Sequence, residues 1–280
     1  MTTYLPAASA PLKNTGHIKL YSATDFDGMR AASQLTARCL DGVTELVKPG
    51  ATTAEIEDFI FQFGVDNDAV PATLNYRGYQ YASCISLNHV VCHGMPYDSK
   101  GRTRVLRDGD ILNVDVTLVL DGWHGDSSRM YVAGTPKPAA ARLIDLTHDC
   151  LMAGIAAVKP GARIGAVGAA IQQLAEAERC SVVRDFCGHG LGRLFHDAPN
   201  VLHYGRANEG VEMRPGMIFT IEPMINLGRH HVKVLRDGWT AVTRDRSLSA
   251  QFEHSVGVTE DGCEIFTLSP AGLHKPALAA

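Results

Sequence analysis

The chain has 280 residues, of which 45% are hydrophobic and 20% charged. This is enough to bury a large core in one compact body or two fused lobes, and it excludes a disordered chain. The 26 Lys and Arg residues against 30 Asp and Glu residues give a net charge of −4. Because no basic run with interleaved aromatic residues occurs, a specific nucleic acid is not an expected partner.

The cysteines and the apolar runs bear on the cellular compartment. The seven cysteines are scattered and form no CxxC pair, which is typical of free thiols in a reducing compartment. The first twenty residues lack the pattern of a signal peptide, and no apolar run is long enough to span a membrane. We therefore expect a soluble, cytoplasmic protein without a membrane partner.

The N-terminal part of the chain differs from the rest. Residues 1–22 contain two prolines, several small residues and little periodicity, and we interpret them as an extended arm that lies on the body. Residues 23–280 are expected to form a single domain. Its first helix is indicated by Thr24 with Asp25 and Asp27, residue types that suit a helix N-terminus.

Two helices are predicted in each half. The first has one apolar face that continues to Leu46 before a Pro-Gly pair ends it. Thr52 and Glu55 form a capping-box signature for the second, which ends near Gly64. In the later half, one helix starts at Pro138 and a further helix covers 164–180. Alternating and β-branched residues predict strands at 84–92, 110–132, 181–187, 217–226 and 231–258. The expected class is α+β, with helices covering a largely antiparallel sheet.

The two halves repeat a motif. Residues 106–116 and 213–223 share a template in which an apolar residue, Arg, Gly and Ile lead into a mostly apolar run. The run ends in Asp115 in the first copy and in Glu222 in the second. A Val-Lys-Pro-Gly-Ala segment also occurs twice, at a similar offset. The repeat predicts two lobes, and an acid at the same place in each predicts one shared site.

A hairpin is predicted to bring two acids together. Asp121-Gly122 is a strong signal for a two-residue turn, which places Thr117 opposite Asp126. Asp115 then lies on the same face, diagonal to Asp126. Asn113 extends this polar stripe within an apolar segment. A strand with one face exposed to solvent would show the same polar stripe as a strand that contributes to a metal site. The choice between these interpretations therefore depends on the other potential ligands.

Further potential ligands follow in the second half. His189 and His196 belong to a segment that contains three glycines, where the backbone can lie close to a bound group. Glu222 and Glu253 occur in strand-like runs, where a buried charge is costly unless it is paired or bound to metal. Four carboxylates and one imidazole would suit two divalent cations about 3.5–4 Å apart, with Mn, Fe(II) or Co favoured. The set is Asp115, Asp126, His189, Glu222 and Glu253.

With these residues assembled, the chain resembles the methionine aminopeptidases of the bacterial type I form, within metallopeptidase family M24, from about residue 24 to 268. The motifs that carry the resemblance are VVCHGMP (90–96), NVDV (113–116), GWHGD (122–126), CGHGLGR (187–193), FTIEPM (219–224) and SAQFEH (249–254). The resemblance implies the pita-bread fold, in which two pseudo-symmetric αβ halves with antiparallel sheet enclose a dinuclear metal centre.

The resemblance also implies residue roles. The five residues above would bind two divalent ions (Co, Mn, Fe(II) or Zn), with Asp126 and Glu253 bridging them. A hydroxide held between the ions would attack the scissile carbonyl, and Glu222 would handle the proton. His196 would stabilise the oxyanion, and His93 would hold the scissile amide nitrogen.

An apolar pocket for a methionine side chain is likewise implied by the resemblance. Its wall residues are Tyr76, Tyr79, Cys84, Phe195, Met224 and Trp239. Core packing is the competing interpretation of these six residues. A structural role remains the expectation for the histidines outside the motifs, His124, His203, His230 and His231.

The implied activity is removal of the N-terminal methionine from nascent proteins and peptides, with a preference for a small uncharged second residue. The implied partners are methionyl peptides and nascent chains near the ribosome, and we expect a monomer. Three departures bear on selectivity or rate. Residues 101–104 lengthen a loop near the site, Thr73 stands where a pocket cysteine is often found, and His89 stands where an acid is expected.

Three alternative assignments fit the sequence less well. Prolidases and proline-specific aminopeptidases share this fold, but they usually carry a sizeable extra N-terminal domain, and about twenty residues precede the first helix here. Type II methionine aminopeptidases need a helical insertion for which the interval between His196 and Glu222 has no room. A pita-bread binding module without metals would have lost a ligand, whereas all five are present.

Overall fold

The computed structural model describes residues 3–98 and 100–277. Within these residues the helices are α1 (Ala23–Val43), α2 (Thr53–Asp66), α3 (Pro138–Ala156) and α4 (Gly165–Ala177). Each half thus contains a helix pair, as predicted. No helix of these residues is long and apolar enough to cross a membrane. All seven cysteines are free thiols, which confirms the prediction made from their spacing.

The strands are short, with one long hairpin among them. The first half contains β1 (Tyr4–Pro6), β2 (Ile18–Leu20), β3 (Val70–Pro71), β4 (Cys84–Leu87), β5 (Val90–Cys92), β6 (Asp110–Leu120) and β7 (Trp123–Ala133). The second half contains β8 (Ser181–Val182), β9 (Gly188–Gly190), β10 (Asp197–Val201), β11 (Ile218–Ile221), β12 (Met224–Asn226), β13 (Val232–Val234), β14 (Ala241–Thr243), β15 (Ser249–Gln251), β16 (His254–Val258) and β17 (Cys263–Ile265).

Capping boxes begin both helices of the first half. The N-cap of α1 is Ser22, two residues before Thr24; its backbone N–H donates to the Asp25 carboxylate at 2.8 Å, and its hydroxyl accepts from the Asp25 N–H at 3.3 Å. Thr52 and Glu55 make the same reciprocal pair at the start of α2, as predicted. Each box satisfies backbone N–H groups that have no partner within the helix.

The central hairpin has the predicted register. Leu120 pairs with Trp123 and Thr117 pairs with Asp126, while both turn residues adopt positive φ, 51° at Asp121 and 78° at Gly122. These are the angles that a two-residue hairpin turn requires. Thr117 is 1% exposed and Asp126 3% exposed. The polar stripe is therefore buried, and surface exposure is the wrong explanation for it.

Several predicted strands are interrupted. Residues 84–92 form two strands because Asn88, at φ 55°, turns the chain between them. Residues 217–226 are broken at Glu222 and Pro223, since proline has no N–H for a ladder hydrogen bond. Residues 231–258 contain four strands, and only two residues of 181–187 are extended. Apolar alternation located these regions but did not detect the turns within them.

Two sheets meet at the centre of the molecule. In the second half the order is β10-β9-β11-β16-β17, with antiparallel neighbours. An antiparallel bridge between Ser128 and Glu253 joins β7 of the first half to the segment before β16. Separate buried clusters lie beneath α1 and α2 and beneath α3 and α4. Two αβ halves thus pack around a common seam, as the internal repeat predicted.

The N-terminal segment is integrated with the second half. Strands β1 and β2 pair in parallel, and the hydroxyl of Tyr4 donates to the carbonyl of Glu212 at 2.7 Å. Ile18 is 2% exposed and belongs to the buried cluster beneath α3 and α4. The predicted extended arm is therefore partly folded into strands, with a core residue of its own.

Candidate active site

A cavity of about 360 Å³ is lined by residues of both halves. All thirteen side chains predicted from sequence line it: Tyr76, Tyr79, Cys84, His93, Asp115, Asp126, His189, Phe195, His196, Glu222, Met224, Trp239 and Glu253. Residues up to 177 positions apart in the sequence thus converge on one cavity.

Local structure explains how the acids converge. Asp115 and Asp126 lie on the paired strands β6 and β7, and Glu253 is bridged to β7 through Ser128. Glu222 follows β11 at the break before Pro223, and His189 lies in the middle of β9. Each acid is placed by a strand or a strand end, so its position is set by sheet register rather than by a loop.

Hydroxyl groups orient two of the carboxylates. Thr117 Oγ1 donates to Asp126 Oδ1 at 2.7 Å, and Thr220 Oγ1 donates to Glu222 Oε1 at 2.8 Å. The same Thr220 oxygen accepts the backbone N–H of His189 at 3.0 Å. Such outer contacts fix the direction in which ligand oxygens point.

The imidazole of His189 is also oriented. Its Nδ1 lies 3.1 Å from the carbonyl oxygen of Gly190, a contact that places the ring proton on Nδ1 and leaves a lone pair on Nε2. That Nε2 atom is 3.5 Å from Asp126 Oδ2 and 3.7 Å from Glu222 Oε1. A neutral histidine with its second nitrogen directed at carboxylates is the arrangement of a metal ligand.

Burial shifts the protonation of this group strongly. It raises the pKa of Asp126 to about 7, and it raises the pKa values of Asp115, Glu222 and Glu253 well above their usual range, with repulsion from Asp126 adding to each. Burial lowers the pKa of His189 to about 4. The cluster therefore favours neutral groups unless a cation compensates the carboxylates.

The donor set fits a divalent metal. Asp126, His189 and Glu253 are buried and offer ligand atoms that all lie within 4.8 Å of one another. Asp115 and Glu222 line the same cavity. Carboxylate oxygens with one imidazole nitrogen are a hard, oxygen-rich set suited to divalent ions of the Mn, Fe or Co kind.

Two further histidines face the cavity without belonging to that set. His196 lies 4.2 Å from the His189 ring and stacks on Tyr76 at 5.2 Å between centroids. Desolvation in the cavity and repulsion from His189 and Arg77 lower the pKa of His196, and burial lowers the pKa of His93. His93 adopts a strained φ of 55°. Both rings are thus neutral, and each can donate or accept one hydrogen bond.

Some cavity residues were not predicted. Arg77, Asp185, Phe186 and Gln251 also line it. Gln251 lies inside the SAQFEH motif, and Asp185 and Phe186 directly precede the CGHGLGR motif, so proximity to a motif was the available signal. Arg77 is exposed at a φ of 48°, which no sequence pattern indicated.

His203 was interpreted as structural, and the structure places it behind the site. It is fully buried, and its Nε2 accepts the backbone N–H of Glu222 at 3.0 Å. It therefore fixes the backbone of a cavity residue without reaching the cavity.

The three departures lie at different distances from the site. Thr73 lines the cavity and donates to the carbonyl of Tyr81 at 2.9 Å. Residues 100–104 form a turn in which Arg102 pairs with Asp98, and Arg104 N–H donates to Thr53 Oγ1. Among the described residues, neither this turn nor His89 is part of the cavity wall.

The fold and the buried carboxylate–histidine cluster define a metal-dependent hydrolase. The sequence profile of metallopeptidase family M24 matches residues 27–260. The chain is 52% identical to the methionine aminopeptidase of Rickettsia prowazekii over 260 residues, 92% of this chain and 98% of that protein. The chain belongs to metallopeptidase family M24, in its methionine aminopeptidase branch.

Solved structures agree with this assignment. A crystal structure of methionine aminopeptidase from Rickettsia prowazekii superposes with a TM-score of 0.87 at 52% identity, and the match covers 90% of this chain and 100% of that one. The prolidase of Pyrococcus furiosus superposes with a TM-score of 0.70 at 16% identity, covering 89% of this chain and 65% of that chain. The prolidase shows the common pita-bread fold alone. Membership of the methionine aminopeptidase branch makes the chain a metallo-exopeptidase, a hydrolase that uses divalent metal.

Proposed function

We propose that this enzyme removes the N-terminal methionine from peptides and nascent chains whose second residue is small and uncharged. The observation that carries the proposal is the cavity itself, because the carboxylate–histidine cluster and an aromatic, sulfur-containing wall line the same cavity. A peptide that places its first side chain against this wall brings its first amide bond to the cluster.

The metal ligands in this proposal are Asp115, Asp126, His189, Glu222 and Glu253. Two divalent ions would share them, with Asp126 and Glu253 bridging, and the ions would be Mn, Fe(II), Co or Zn. When bound, such ions polarise a carbonyl and lower the pKa of water to about 7, which supplies a nucleophile at neutral pH. The raised pKa values of the carboxyl groups in the metal-free cluster support this need for positive charge.

The other groups would handle protons and substrate atoms. Glu222 would take the proton of the attacking water and pass it to the leaving amine, with its carboxylate held by Thr220. The neutral ring of His196 would donate a hydrogen bond to the developing oxyanion, and His93 would hold the scissile amide nitrogen. Neither role requires a charged ring, in agreement with the lowered pKa values.

The wall of the cavity suits a thioether side chain. Tyr79 is 2% exposed, packs edge-on against Trp239 with ring centroids 5.1 Å apart, and has Cys84 and Met224 as buried neighbours in the wall. A flexible methionine gains contacts with aromatic edges and sulfur. Tyr76 and Phe195, whose rings are 5.0 Å apart, would close the remaining side of the pocket.

The proposal extends to the setting of the reaction. Newly made chains carry methionine at their N-terminus, so we place the enzyme in the cytoplasm near the ribosome, acting as a monomer. The second residue of the substrate would be limited by the space left beside His93 and His196.

Release of free methionine tests the proposal. The protein is stripped with a chelator, reloaded with Mn, Fe(II) or Co, and given Met-Gly-Met-Met or a matched Met-Leu peptide. We expect metal-dependent release from the first peptide and little from the second. No release with any metal, from protein shown to be folded and metal-loaded, would favour a binding module with this fold instead.

The amount of bound metal also distinguishes a metal-dependent enzyme from a binding module with this fold. Glu253→Gln removes a proposed bridging charge, and Glu260→Gln makes the same exchange at an exposed residue outside the cavity. We expect reduced bound metal and activity in the first variant and wild-type values in the second. Equal metal content in both variants would contradict the proposed ligand set.

A further inference from the structure

A buried ion pair joins the N-terminal segment to the strand that follows His196. Lys19 on β2 pairs with Asp197 on β10, and the two side chains are only 7% and 2% exposed. Lys19 also donates to the carbonyl of Lys13 at 3.3 Å. Lysine and aspartate are rarely buried to this degree, and a buried pair contributes little net stability compared with apolar residues of the same size.

The pair belongs to a wider set of contacts with the His196 segment. Asn14 Nδ2 donates to the carbonyl of His196 at 3.5 Å, and Asp197 Oδ1 accepts the N–H of Ala198 at 2.9 Å. Ile18, on the opposite face of β2 from Lys19, is anchored in the core of the second half. The N-terminal segment thus contacts the His196 carbonyl and the side chain of the residue that follows it.

The imidazole of His196 depends on this backbone for its position. Its known neighbours are rings, with Tyr76, His189 and Phe195 packed at centroid distances of 4.2–5.2 Å. Ring packing sets the plane of the imidazole. It restricts movement of the ring within that plane less than a directional hydrogen bond would. A displacement of about 1 Å at a reacting group can reduce a rate by about 10²-fold.

We propose that Lys19 is a positioning residue for His196, acting through Asp197. The inference rests on the proposed function, in which His196 contacts the substrate carbonyl. It also changes the interpretation of residues 3–22, which become part of the active-site framework instead of a passive extension. A structural role alone would affect stability without changing the rate of the folded enzyme.

A neutral pair tests the proposal without leaving a buried charge unpaired. Lys19→Met combined with Asp197→Asn keeps the approximate volume of both side chains and removes both charges. The matched control is Arg129→Met with Asp41→Asn, which removes another buried ion pair, 7% and 12% exposed, that lines no part of the cavity. The readouts are kcat and KM for Met-Gly-Met-Met and the melting temperature of each metal-loaded protein.

We expect kcat to fall by roughly 10- to 10²-fold in the Lys19/Asp197 variant, with KM within about twofold of wild type. The control should keep kcat despite a similar change in melting temperature. Unchanged kcat in a folded Lys19/Asp197 variant would overturn the proposal, as would an equal loss in the control.

A second variant and a second readout distinguish failure of the positioning role from failure of the proposed function. Asn14→Ala removes an exposed contact with the His196 carbonyl and carries little risk of unfolding. In zinc-loaded protein, the ¹H–¹³C signal of the His196 ring, identified with His196→Asn, should move in Asn14→Ala and in the Lys19/Asp197 variant but not in the control. If wild type releases no methionine, the proposed function fails while this signal still decides the positioning role; an unmoved signal in both variants overturns it.

Discussion

Four buried carboxyl groups in one cavity are the feature that dominates at the scale of single residues. Each would repel the others if ionised, and burial raises the pKa of each. Thr117 and Thr220 partly offset this by donating hydrogen bonds to the ionised forms. The hydroxyls therefore orient two of the carboxylates, and we expect them to affect the affinity of the site for metal.

Thr117→Val is expected to weaken metal binding or activity by about 10- to 100-fold, because the 2.7 Å hydrogen bond to Asp126 is lost at constant volume. Thr147→Val is the control, since its equally buried hydroxyl donates to Leu143 within α3, away from the cavity. Metal titration followed by calorimetry measures the effect. Equal metal affinity in the two variants would show that the Thr117 hydroxyl does not orient the ligand.

His254 provides a test of pH dependence. It is buried beside Thr267, and burial lowers its pKa to about 3, whereas the unfolded chain titrates near 6.5. The unfolded state therefore binds more protons between these values, and this contribution to stability is lost as pH falls from about 6.5 towards 3. One such group changes the free energy of unfolding by at most about 1.4 kcal/mol per pH unit.

We expect His254→Gln to lower the slope of the free energy of unfolding against pH between about 4.5 and 6.5, by up to that amount per unit. Urea unfolding of metal-free wild type and variant at three pH values measures the difference. The carboxyl groups titrate in the opposing sense in both proteins, so their contribution cancels when the two slopes are compared. Parallel curves would contradict the lowered pKa.

At the scale of elements, the hairpin β6–β7 is positioned by its contact with α1. A Cβ atom placed on Gly125 would lie 2.3 Å from the carbonyl oxygen of Ala32, and Thr36 Oγ1 donates to the Gly125 carbonyl at 2.9 Å. Only glycine allows the strand to approach the helix this closely. Gly125 thereby sets the distance between α1 and the strand that carries Asp126.

Gly125→Ala is expected to reduce the free energy of unfolding by about 1–3 kcal/mol, because backbone atoms of α1 must move to admit a methyl group. Gly262→Ala is the control, since a Cβ atom there meets nothing within 4 Å. Chemical unfolding of both variants measures the difference. A change of similar size in both would indicate that glycine flexibility, and not the close approach, accounts for the loss.

At the scale of the whole molecule, the two halves meet at the acidic cluster. Metal binding should therefore join the halves and relieve repulsion at the seam. A ligand at 100 times its dissociation constant stabilises the folded state by about 2.7 kcal/mol. Since burial raises the pKa of Asp126 to about 7, protons compete with metal below that pH.

We expect excess Mn to raise the melting temperature more at pH 8 than at pH 6, and chelator to reverse the gain. Differential scanning fluorimetry at both values measures the shift. The Glu253→Gln protein should show a smaller gain than wild type at pH 8. A larger gain at pH 6 would contradict the competition between protons and metal.

The sequence by itself determined the local elements and the residues of the site. The capping box at Thr52 and the turn at Asp121-Gly122 depend on neighbouring residues only, so helix starts and hairpin register could be predicted. The duplicated template and the motifs supplied the proposed ligand set, whose five residues all line one cavity. Each of these features lies within a short stretch of sequence, where a side chain determines the conformation of the backbone next to it.

The tertiary structure alone decided how those stretches meet. Periodicity did not reveal the break at Asn88, the buried contact of His203 with Glu222, or the pairing of Lys19 with Asp197 across 178 positions. Each depends on partners distant in sequence, whose encounter is set by sheet register and core packing. A pattern within one segment does not identify the segment that packs against it. For this reason the contacts that support the site could be found only in the tertiary structure.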